Sequence, residues 1–589
     1  MRKAASFLFA TVYMSAATIP AADSRNVTVP NTDTAFTPRE YKTRAEWEAR
    51  AAHLRRQILF SAGLMPMPPK TPLNAQVFGR IERNGYSVEK VLIETLPGYW
   101  LGGNLYQPLG KTGPFPAIVS PHGHWAYGRL ENSANASIPA RCINLARQGY
   151  IVFAYDMVGY NDTLQTPHAF GGRREQLWGF GPLGLQLWNS IRAVDFLESL
   201  ADTDRAKIGA TGASGGATQT MLLAAVDRRI RFSSPVNMIS STMQGGSPCE
   251  NAAGLRVGTN NMEIGALMAP RPMLMVAATG DWTKNTPKVE HPAVQSIYRL
   301  LDAEANLEMV QFDAPHNYNK DSREAVYKFF AKHALGADAK SPEFAKTFSE
   351  RGSSPEKLQD LLALHNRTLP RGALGLDLLV TQWIEMARAQ NVAEAPSVER
   401  LTLALGSEWP AKVLAEKTEE RVVLSREGVG DRVAAVWIEG KMPAAIVVHP
   451  DGAEAGRKLV EKGRATLLVT AFQTGESRGP RDQSHTHFLT FNKSDDAERV
   501  QDILTSLAWM KQEGKLDGAS LSCTGDAAVW CTFAAAVAPV KVELKAEAVD
   551  FLAKDADFLN RFFVPGIQRA GGWEAARKLS GQRTGDRGQ

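Results

Sequence analysis

A serine flanked by glycines is the residue pattern in this chain that most clearly suggests chemistry. Ser214 lies in the sequence Gly-Ala-Ser-Gly-Gly at residues 212–216, which matches G-x-S-x-G. An apolar run at 207–210 precedes it and a helical pattern at 217–226 follows. On a sharp strand-to-helix turn a serine is exposed as a nucleophile, and small residues two positions away avoid collisions with neighbouring strands. The pattern predicts attack by Ser214 on a carbonyl group.

A serine hydroxyl is a weak nucleophile, so the chain should also supply a histidine base and a carboxylate that orients it. Asp281 follows a short apolar run at residues 273–277, and His316 follows the next such run. Serine, acid and histidine in this chain order, with acid and base on loops after later strands, form one of the known catalytic triads. We predict the triad Ser214, Asp281 and His316. Glu250, which follows an earlier predicted strand, remains an alternative acid.

A second loop of chemical interest follows the predicted strand at 117–120 and reads Pro-His-Gly-His-Trp. Acyl transfer needs backbone N–H groups aimed at the developing oxyanion, and we assign these to Gly215 and His124. His122 and His124 could instead form a metal-binding H-x-H pair. They have no carboxylate or cysteine at ligand spacing in the sequence, and such partners complete most zinc sites. We therefore expect no metal ion and no other cofactor.

The elements around these residues alternate between short apolar strands and longer helical patterns. Strands are predicted at 117–120, 151–155 and 208–211, and a helix at 185–200 carries apolar residues on one face. Continuously apolar strands alternating with helices predict a mostly parallel sheet buried on both faces, which is an α/β fold. Such sheets bind ligands at the carboxyl ends of their strands. The residues there that could contact substrate, or instead pack the loops, are Trp125, Tyr155, Asp156 and Trp282.

The second half of the chain repeats the first. The run that begins at Ile208 aligns with the run that begins at Leu521, and the same offset carries the helix stripe of Ile191 onto Leu504. At this offset Ser214 becomes Ala527, so the copy has lost the nucleophile. The predicted organisation is a signal peptide at 1–22, a catalytic α/β domain at 40–335, a helical connector at 336–406, a degenerate α/β domain at 407–575 and a flexible tail at 576–589.

The first residues predict export. Met1-Arg2-Lys3 is a short basic segment, residues 4–19 are mostly apolar, and residues 20–22 resemble a signal-peptidase site. The apolar stretch is short and interrupted for a membrane span, but it is typical of a signal peptide. We expect cleavage close to Ala22 and a periplasmic or extracellular protein with no membrane span.

Composition excludes several other classes. The chain has 589 residues, of which 44% are hydrophobic and 22% charged, as in folded globular proteins. An excess of 67 basic over 62 acidic residues, without a basic run, does not indicate a nucleic-acid partner. The four cysteines are too few for a disulfide scaffold, and one or two disulfides of undetermined pairing remain possible. The sequence does not determine the oligomeric state.

These motifs together resemble an α/β-hydrolase of the acetyl xylan esterase and dienelactone hydrolase-like group. The resemblance covers residues 86–334 and rests on the segments at 121–125, 141–147, 154–159, 209–216 and 313–316. It implies metal-independent hydrolysis of an ester, such as an acetyl group on a plant polysaccharide. Alternatives are a prolyl-oligopeptidase-like serine peptidase, a glucuronoyl-type esterase that uses Glu250 as its acid, and a non-catalytic carbohydrate-binding protein. The degenerate second domain is a departure from the single-domain esterases.

Overall fold

The structure is a computed structural model that describes residues 18–547 and 550–581. The predicted signal peptide lies outside the described residues, apart from residues 18–22. Within the described residues, no helix combines the length and the apolar character needed to cross a membrane.

The first half is built on a nine-stranded sheet with the order β1-β2-β3-β5-β4-β6-β7-β8-β9. The first three strands run antiparallel to their neighbours, and β5, β4, β6, β7, β8 and β9 are parallel. Strand bounds are Gln76–Arg83 (β1), Tyr86–Leu96 (β2), Tyr99–Pro108 (β3), Phe115–Val119 (β4), Ile151–Tyr155 (β5), Thr203–Ala213 (β6), Ile230–Val236 (β7), Met273–Gly280 (β8) and Leu307–Pro315 (β9).

Helices cover both faces of this sheet because its central strands are apolar on both sides. In β5, Phe153 belongs to the same core cluster as α2, α5 and α6, whereas Val152 belongs to the cluster with α3 and α9. This is the parallel arrangement that continuously apolar strands favour. Helix bounds are Ser24–Val27 (α1), Arg44–Ser61 (α2), Ile138–Gln148 (α3), Arg173–Leu177 (α4), Pro182–Ser199 (α5), Gly215–Val226 (α6), Asn261–Ala266 (α7), Glu290–Leu300 (α8) and Lys320–Phe330 (α9).

The second half contains a seven-stranded sheet with the order β10-β11-β12-β14-β13-β15-β16. Strand bounds are Val413–Thr418 (β10), Arg421–Arg426 (β11), Val433–Ile438 (β12), Lys441–Val448 (β13), Arg464–Thr470 (β14), Ser520–Cys523 (β15) and Glu543–Ala546 (β16). The remaining helices are Phe344–Thr347 (α10), Leu358–Leu361 (α11), Leu376–Ala393 (α12), Val398–Leu405 (α13), Ala453–Gly456 (α14), Phe488–Phe491 (α15), Asp495–Gln512 (α16), Ala527–Val537 (α17), Asp555–Arg561 (α18) and Gly572–Leu579 (α19).

The second sheet repeats the order and the strand directions of β1 to β7 in the first sheet. In the part of the chain that the structure describes, it ends at β16 and has no counterpart of β8 and β9. Asp281 and His316 follow those two strands in the first half. The second half therefore differs from the first by more than the change at Ala527, because the strands that present the predicted acid and base are missing as well.

The two halves share one continuous apolar core that runs through the connector helices. Trp383 on α12 donates its indole N–H to the carbonyl oxygen of Trp178 at 3.0 Å. The buried guanidinium of Arg569 donates to the carbonyl oxygen of Gly63 at 3.1 Å. Part of the flexible tail predicted at 576–589 is helical instead, because α19 continues to Leu579 and Ala576 is buried in this core. The end of that predicted tail, residues 582–589, lies outside the described residues.

Candidate active site

Ser214 occupies the strained turn that its glycine-rich surroundings predict. It lies between β6 and α6 with φ 57° and ψ −126°, a backbone conformation that L-residues rarely adopt. A Cβ on Gly212 would lie 2.5 Å from the carbonyl oxygen of Pro121, and one on Gly216 would lie 2.7 Å from the same atom. The two glycines therefore let the turn pack directly against the loop that follows β4.

His316 and Asp281 are hydrogen bonded to each other. Nδ1 of His316 lies 2.8 Å from Oδ2 of Asp281, whose side chain is only 2% exposed. The other carboxylate oxygen accepts the backbone N–H of Thr283 at 2.7 Å, which fixes the acid on its loop. The rings of Trp282 and Trp125 lie against the imidazole, with centroid distances of 4.3 and 6.0 Å. The carboxylate and the two indoles restrict the orientation of the histidine ring.

The remaining ring nitrogen of His316 has no partner among the described residues. Nε2 is buried and accepts no hydrogen bond, so the bond from the Ser214 hydroxyl is not formed in this structure. Gly123 lies between the serine turn and Trp125, the tryptophan whose ring packs against His316. A Cβ placed on Gly123 would lie 3.1 Å from Cβ of Ser214 and 3.0 Å from Nε1 of Trp125. Hydrogen bonds between nucleophile and base are often long before substrate binds. The arrangement leaves one free imidazole nitrogen on the side of the site that carries the half-buried Ser214.

Glu250, the alternative acid, is engaged elsewhere. One carboxylate oxygen accepts the hydroxyl of Thr218 at 3.1 Å. The other accepts the backbone N–H groups of Gly246 and Ser247, both at 3.0 Å. The carboxylate therefore closes its own loop onto α6, and the histidine is paired with Asp281 instead.

The loop after β4 is held in place by His122. Its Nδ1 lies 2.7 Å from the carbonyl oxygen of Gly123, and its Nε2 accepts the backbone N–H of Met157 at 2.9 Å. Burial lowers the pKa of His122 to about 3, so the ring is neutral. His122 thus positions the loop that carries His124 and does not take part in an H-x-H ligand pair. The N–H of Gly215, one of the two predicted oxyanion donors, lies in the first turn of α6 and so has no acceptor within its helix.

We expect His122 to make stability depend on pH between about 6.5 and about 3. The unfolded chain binds a proton on this histidine below its usual pKa near 6.5, while the folded chain does not bind one until about pH 3. Stability should therefore fall as pH falls through this window, by about 1.4 kcal/mol per pH unit from this group. Urea unfolding across the window should give a smaller slope for His122→Ala than for the parent. His365→Ala, at an exposed position, is the control, and equal slopes in all three proteins would contradict the assignment.

For two of the four candidate substrate contacts, the structure favours the alternative that they pack the protein. Tyr155 is buried in the core and its hydroxyl lies 2.8 Å from Oγ of Ser190. Asp156 is fully buried in an ion pair with Arg129, and burial raises its pKa to about 6. Tyr155 shares the face of β5 with Phe153, so strand alternation could have revealed its inward direction. Trp125 and Trp282 lie against the ring of His316, and their contact with substrate stays a prediction.

The sequence reasoning missed two side chains that meet His124. Nε2 of His124 lies 3.2 Å from Nε2 of His168 and 3.1 Å from Sγ of Cys249. Sequence spacing gave no sign of this cysteine, because it comes from a loop more than a hundred residues away along the chain. The structure also gives the state of all four cysteines, whose pairing the sequence left open. Cys523 and Cys531 form a disulfide, while Cys142 and Cys249 are free.

A cavity of about 830 Å³ lies between the two halves, next to this cluster. Its walls include Phe170 and Pro248 from the first half and Gln483, His487 and Arg499 from the second. None of Ser214, Asp281 and His316 lines it. Ala169 and Pro248, which also line the cavity, are the sequence neighbours of His168 and Cys249, so the cavity adjoins the candidate active site without containing the predicted triad.

Comparison with known proteins gives three matches of note, and no family model matches the chain. The Bacillus subtilis (strain 168) protein YtaP, which carries a provisional hydrolase name, is 28% identical over 188 residues, 30% of this chain and 61% of that protein. The match thus spans less than two thirds of that relative. The structure named Methylesterase BT1017 is 29% identical, with a TM-score of 0.50 over 60% of this chain and 78% of that chain. A Bacteroides fragilis NCTC 9343 structure provisionally named an acetyl xylan esterase is 15% identical, with a TM-score of 0.40 over 50% of this chain and 86% of that one.

The parallel sheet with antiparallel leading strands and the serine turn between β6 and α6 define the α/β-hydrolase fold. The chain belongs to the α/β-hydrolase superfamily. Within it, this chain is similar to proteins named as a hydrolase and a methylesterase, and it carries a second sheet that repeats the first.

Proposed function

We propose that this protein is an exported serine hydrolase that cleaves carboxylic esters of carbohydrates through an acyl-enzyme on Ser214. The observation that carries the proposal is the pairing of Asp281 with Nδ1 of His316, which leaves Nε2 free beside the serine turn. The similarity to a methylesterase supports ester chemistry. The catalytic roles below follow from this geometry and from the general behaviour of serine hydrolases.

In the first half-reaction, His316 takes the proton of the Ser214 hydroxyl as Oγ attacks the ester carbonyl. The carbonyl oxygen becomes an oxyanion that the N–H groups of Gly215 and His124 stabilise. His316 then gives its proton to the departing alcohol as the carbon–oxygen bond breaks. In the second half-reaction His316 activates a water molecule, the acid leaves, and the proton returns to Ser214. Asp281 holds the imidazole in the tautomer that has Nε2 free to accept.

Two ester classes are candidates. An acetyl ester of a polysaccharide is the first, on the sequence resemblance described above. A methyl ester of a carboxylic acid is the second, because the methylesterase is the structural relative with the higher identity and TM-score of the two described. The exposed parts of Trp125 and Trp282 beside His316 offer apolar surfaces on which a sugar ring can stack.

The second half is proposed to brace the catalytic half and to form one wall of the substrate cleft. It has alanine in place of the serine, and its described residues contain no counterpart of the two strands that would present an acid and a base. Its side chains nevertheless line the cavity beside His168 and Cys249. This packing gives the degenerate second half a structural role, although it has no predicted catalytic residues of its own.

Export is proposed from the basic and apolar leader, with a mature chain that begins near Asp23. The segment that would follow cleavage is well anchored, since Arg25 is buried against Asp502 at 2.6 Å. The Cys523–Cys531 disulfide is typical of proteins in oxidising compartments. Sequencing the N-terminus of protein recovered from the periplasm or medium tests this, and an intact Met1 would contradict it.

The function is tested by incubating the purified full chain with a fluorophosphonate probe and with two substrate sets. Mass spectrometry should find the probe on Ser214 alone, because only an activated serine reacts readily. Acetylated xylan should release acetate, whereas pectin methyl esters should release methanol if the second candidate is correct. Release of peptides from a casein digest, with neither ester cleaved, would identify a peptidase. An unlabelled Ser214 together with inert substrates would overturn the proposal.

A further inference from the structure

We propose that His124, His168 and Cys249 form a binding site for a divalent ion of borderline softness, for which Zn²⁺ is the best match. The proposal concerns metal binding and does not depend on the proposed ester hydrolysis. Its starting point is the convergence of three ligand atoms, two imidazole Nε2 atoms and one thiol sulfur, which all lie within 4.8 Å of one another.

The spacing of these atoms fits a shared ion. The two Nε2 atoms are 3.2 Å apart, and Nε2 of His124 lies 3.1 Å from Sγ of Cys249. In a tetrahedral zinc site, bonds of about 2.1 Å to nitrogen and 2.3 Å to sulfur place the ligand atoms roughly 3.3 to 3.6 Å apart. The third pair, Nε2 of His168 and Sγ of Cys249, lies within 4.8 Å, so a shift of up to about 1 Å would bring all three ligand atoms to these distances.

The hydrogen bond of His168 leaves the lone pair of its Nε2 directed at the other two ligand atoms. Nδ1 of His168 lies 2.7 Å from the carbonyl oxygen of Val158. A carbonyl can only accept, so Nδ1 carries the proton and Nε2 of His168 presents a lone pair. A backbone carbonyl in this position is the usual partner that orients a metal-binding histidine.

The ligands are held by separate loops at the carboxyl ends of neighbouring strands. His124 follows β4, His168 follows β5, and Cys249 lies in a short turn after β7, at Pro248–Glu250. Cys249 is buried, and its carbonyl oxygen accepts the side-chain amide of Gln219 on α6 at 3.4 Å. An ion bound here would tie three loops together, and three protein ligands leave one position of a tetrahedral ion for water or a substrate atom.

The ligand set selects among metals. Two imidazoles and a thiolate suit zinc and cobalt, whereas magnesium and calcium require oxygen ligands. Binding of Zn²⁺ replaces the thiol proton of Cys249, which passes to solvent as the sulfur–metal bond forms. The other free cysteine, Cys142, has no histidine partner in the described structure and faces Oγ of Ser120 at 3.8 Å. It therefore offers a matched control for loss of a thiol.

The test is a metal-binding titration of the full chain, purified without a histidine tag and stripped with a chelator. Zn²⁺ is added in competition with a chromophoric chelator to the parent, Cys249→Ala, His168→Gln and Cys142→Ala. We expect one ion per chain in the parent and in Cys142→Ala, and an affinity at least about a hundredfold lower in the other two. Co²⁺ should give a thiolate-to-cobalt charge-transfer band that is absent from Cys249→Ala.

Two outcomes would overturn the proposal. One is a parent that binds Zn²⁺ no more tightly than Cys249→Ala and His168→Gln do. The other is a cobalt spectrum without a thiolate band. Circular dichroism of each variant shows whether it is folded, and a metal affinity lost in one folded ligand variant but kept in Cys142→Ala is sufficient support. Because the readout is metal content, the result is separate from whether any ester is hydrolysed.

Discussion

Replacing Ser214 by alanine is expected to lower kcat for ester hydrolysis by about 10⁴-fold or more. The serine supplies the side-chain hydroxyl on the strained turn between β6 and α6, and without this nucleophile no acyl-enzyme forms. The residual rate should be what the oxyanion donors and binding alone provide. The measurement is the steady-state release of a chromophore from an aryl acetate at saturating substrate.

Ser296→Ala on α8 is the matched control, because it removes a half-buried hydroxyl away from the serine turn. Its rate should be within about twofold of the parent, as is usual for substitutions away from a site. A Ser214→Ala protein that is folded and as active as the parent would mean that another group forms the covalent intermediate. It would also mean that the strained turn serves packing alone.

Replacing Asp281 by asparagine is expected to have the second-largest effect, a loss of about 10⁴-fold in kcat. The asparagine side chain keeps the shape but would present an N–H or a neutral oxygen to Nδ1 of His316. The imidazole would then no longer be held with Nε2 free to accept the serine proton, and the cation formed during the reaction would lose its 2.8 Å carboxylate partner.

Glu250→Gln is the discriminating companion to Asp281→Asn. Its carboxylate closes the loop at 246–250 and contacts Thr218, and a glutamine can keep several of these hydrogen bonds. We expect less than about a tenfold loss in kcat and a modest loss of stability, about 1 to 2 kcal/mol. If Glu250→Gln were the more damaging of the two, Glu250 would be the acid of the reaction, as in the glucuronoyl-type alternative.

Local sequence patterns predict the serine turn, the α/β class and the duplication of this protein. The apolar run, the glycines and the following helical pattern around Ser214 specify a strand, a turn and a helix within about twenty residues, because backbone sterics and burial act locally there. The α/β class and the duplication follow from the same kind of signal. The helix that begins at Pro182 and the one that begins at Asp495 stand at equivalent positions before β6 and β15.

Tertiary structure decided the features that depend on which loops meet. Cys249 and His168 contact His124 because β4, β5 and β7 end at the same edge of the sheet. The spacing of the three residues along the chain does not predict this contact. The sequence left open whether Asp156 contacts substrate or packs a loop, and the structure shows it in a buried ion pair with Arg129. Burying a charged side chain is unfavourable unless an opposite charge is buried beside it. Whether Asp156 is buried therefore depends on a residue from another element, and the local sequence around Asp156 does not contain that information.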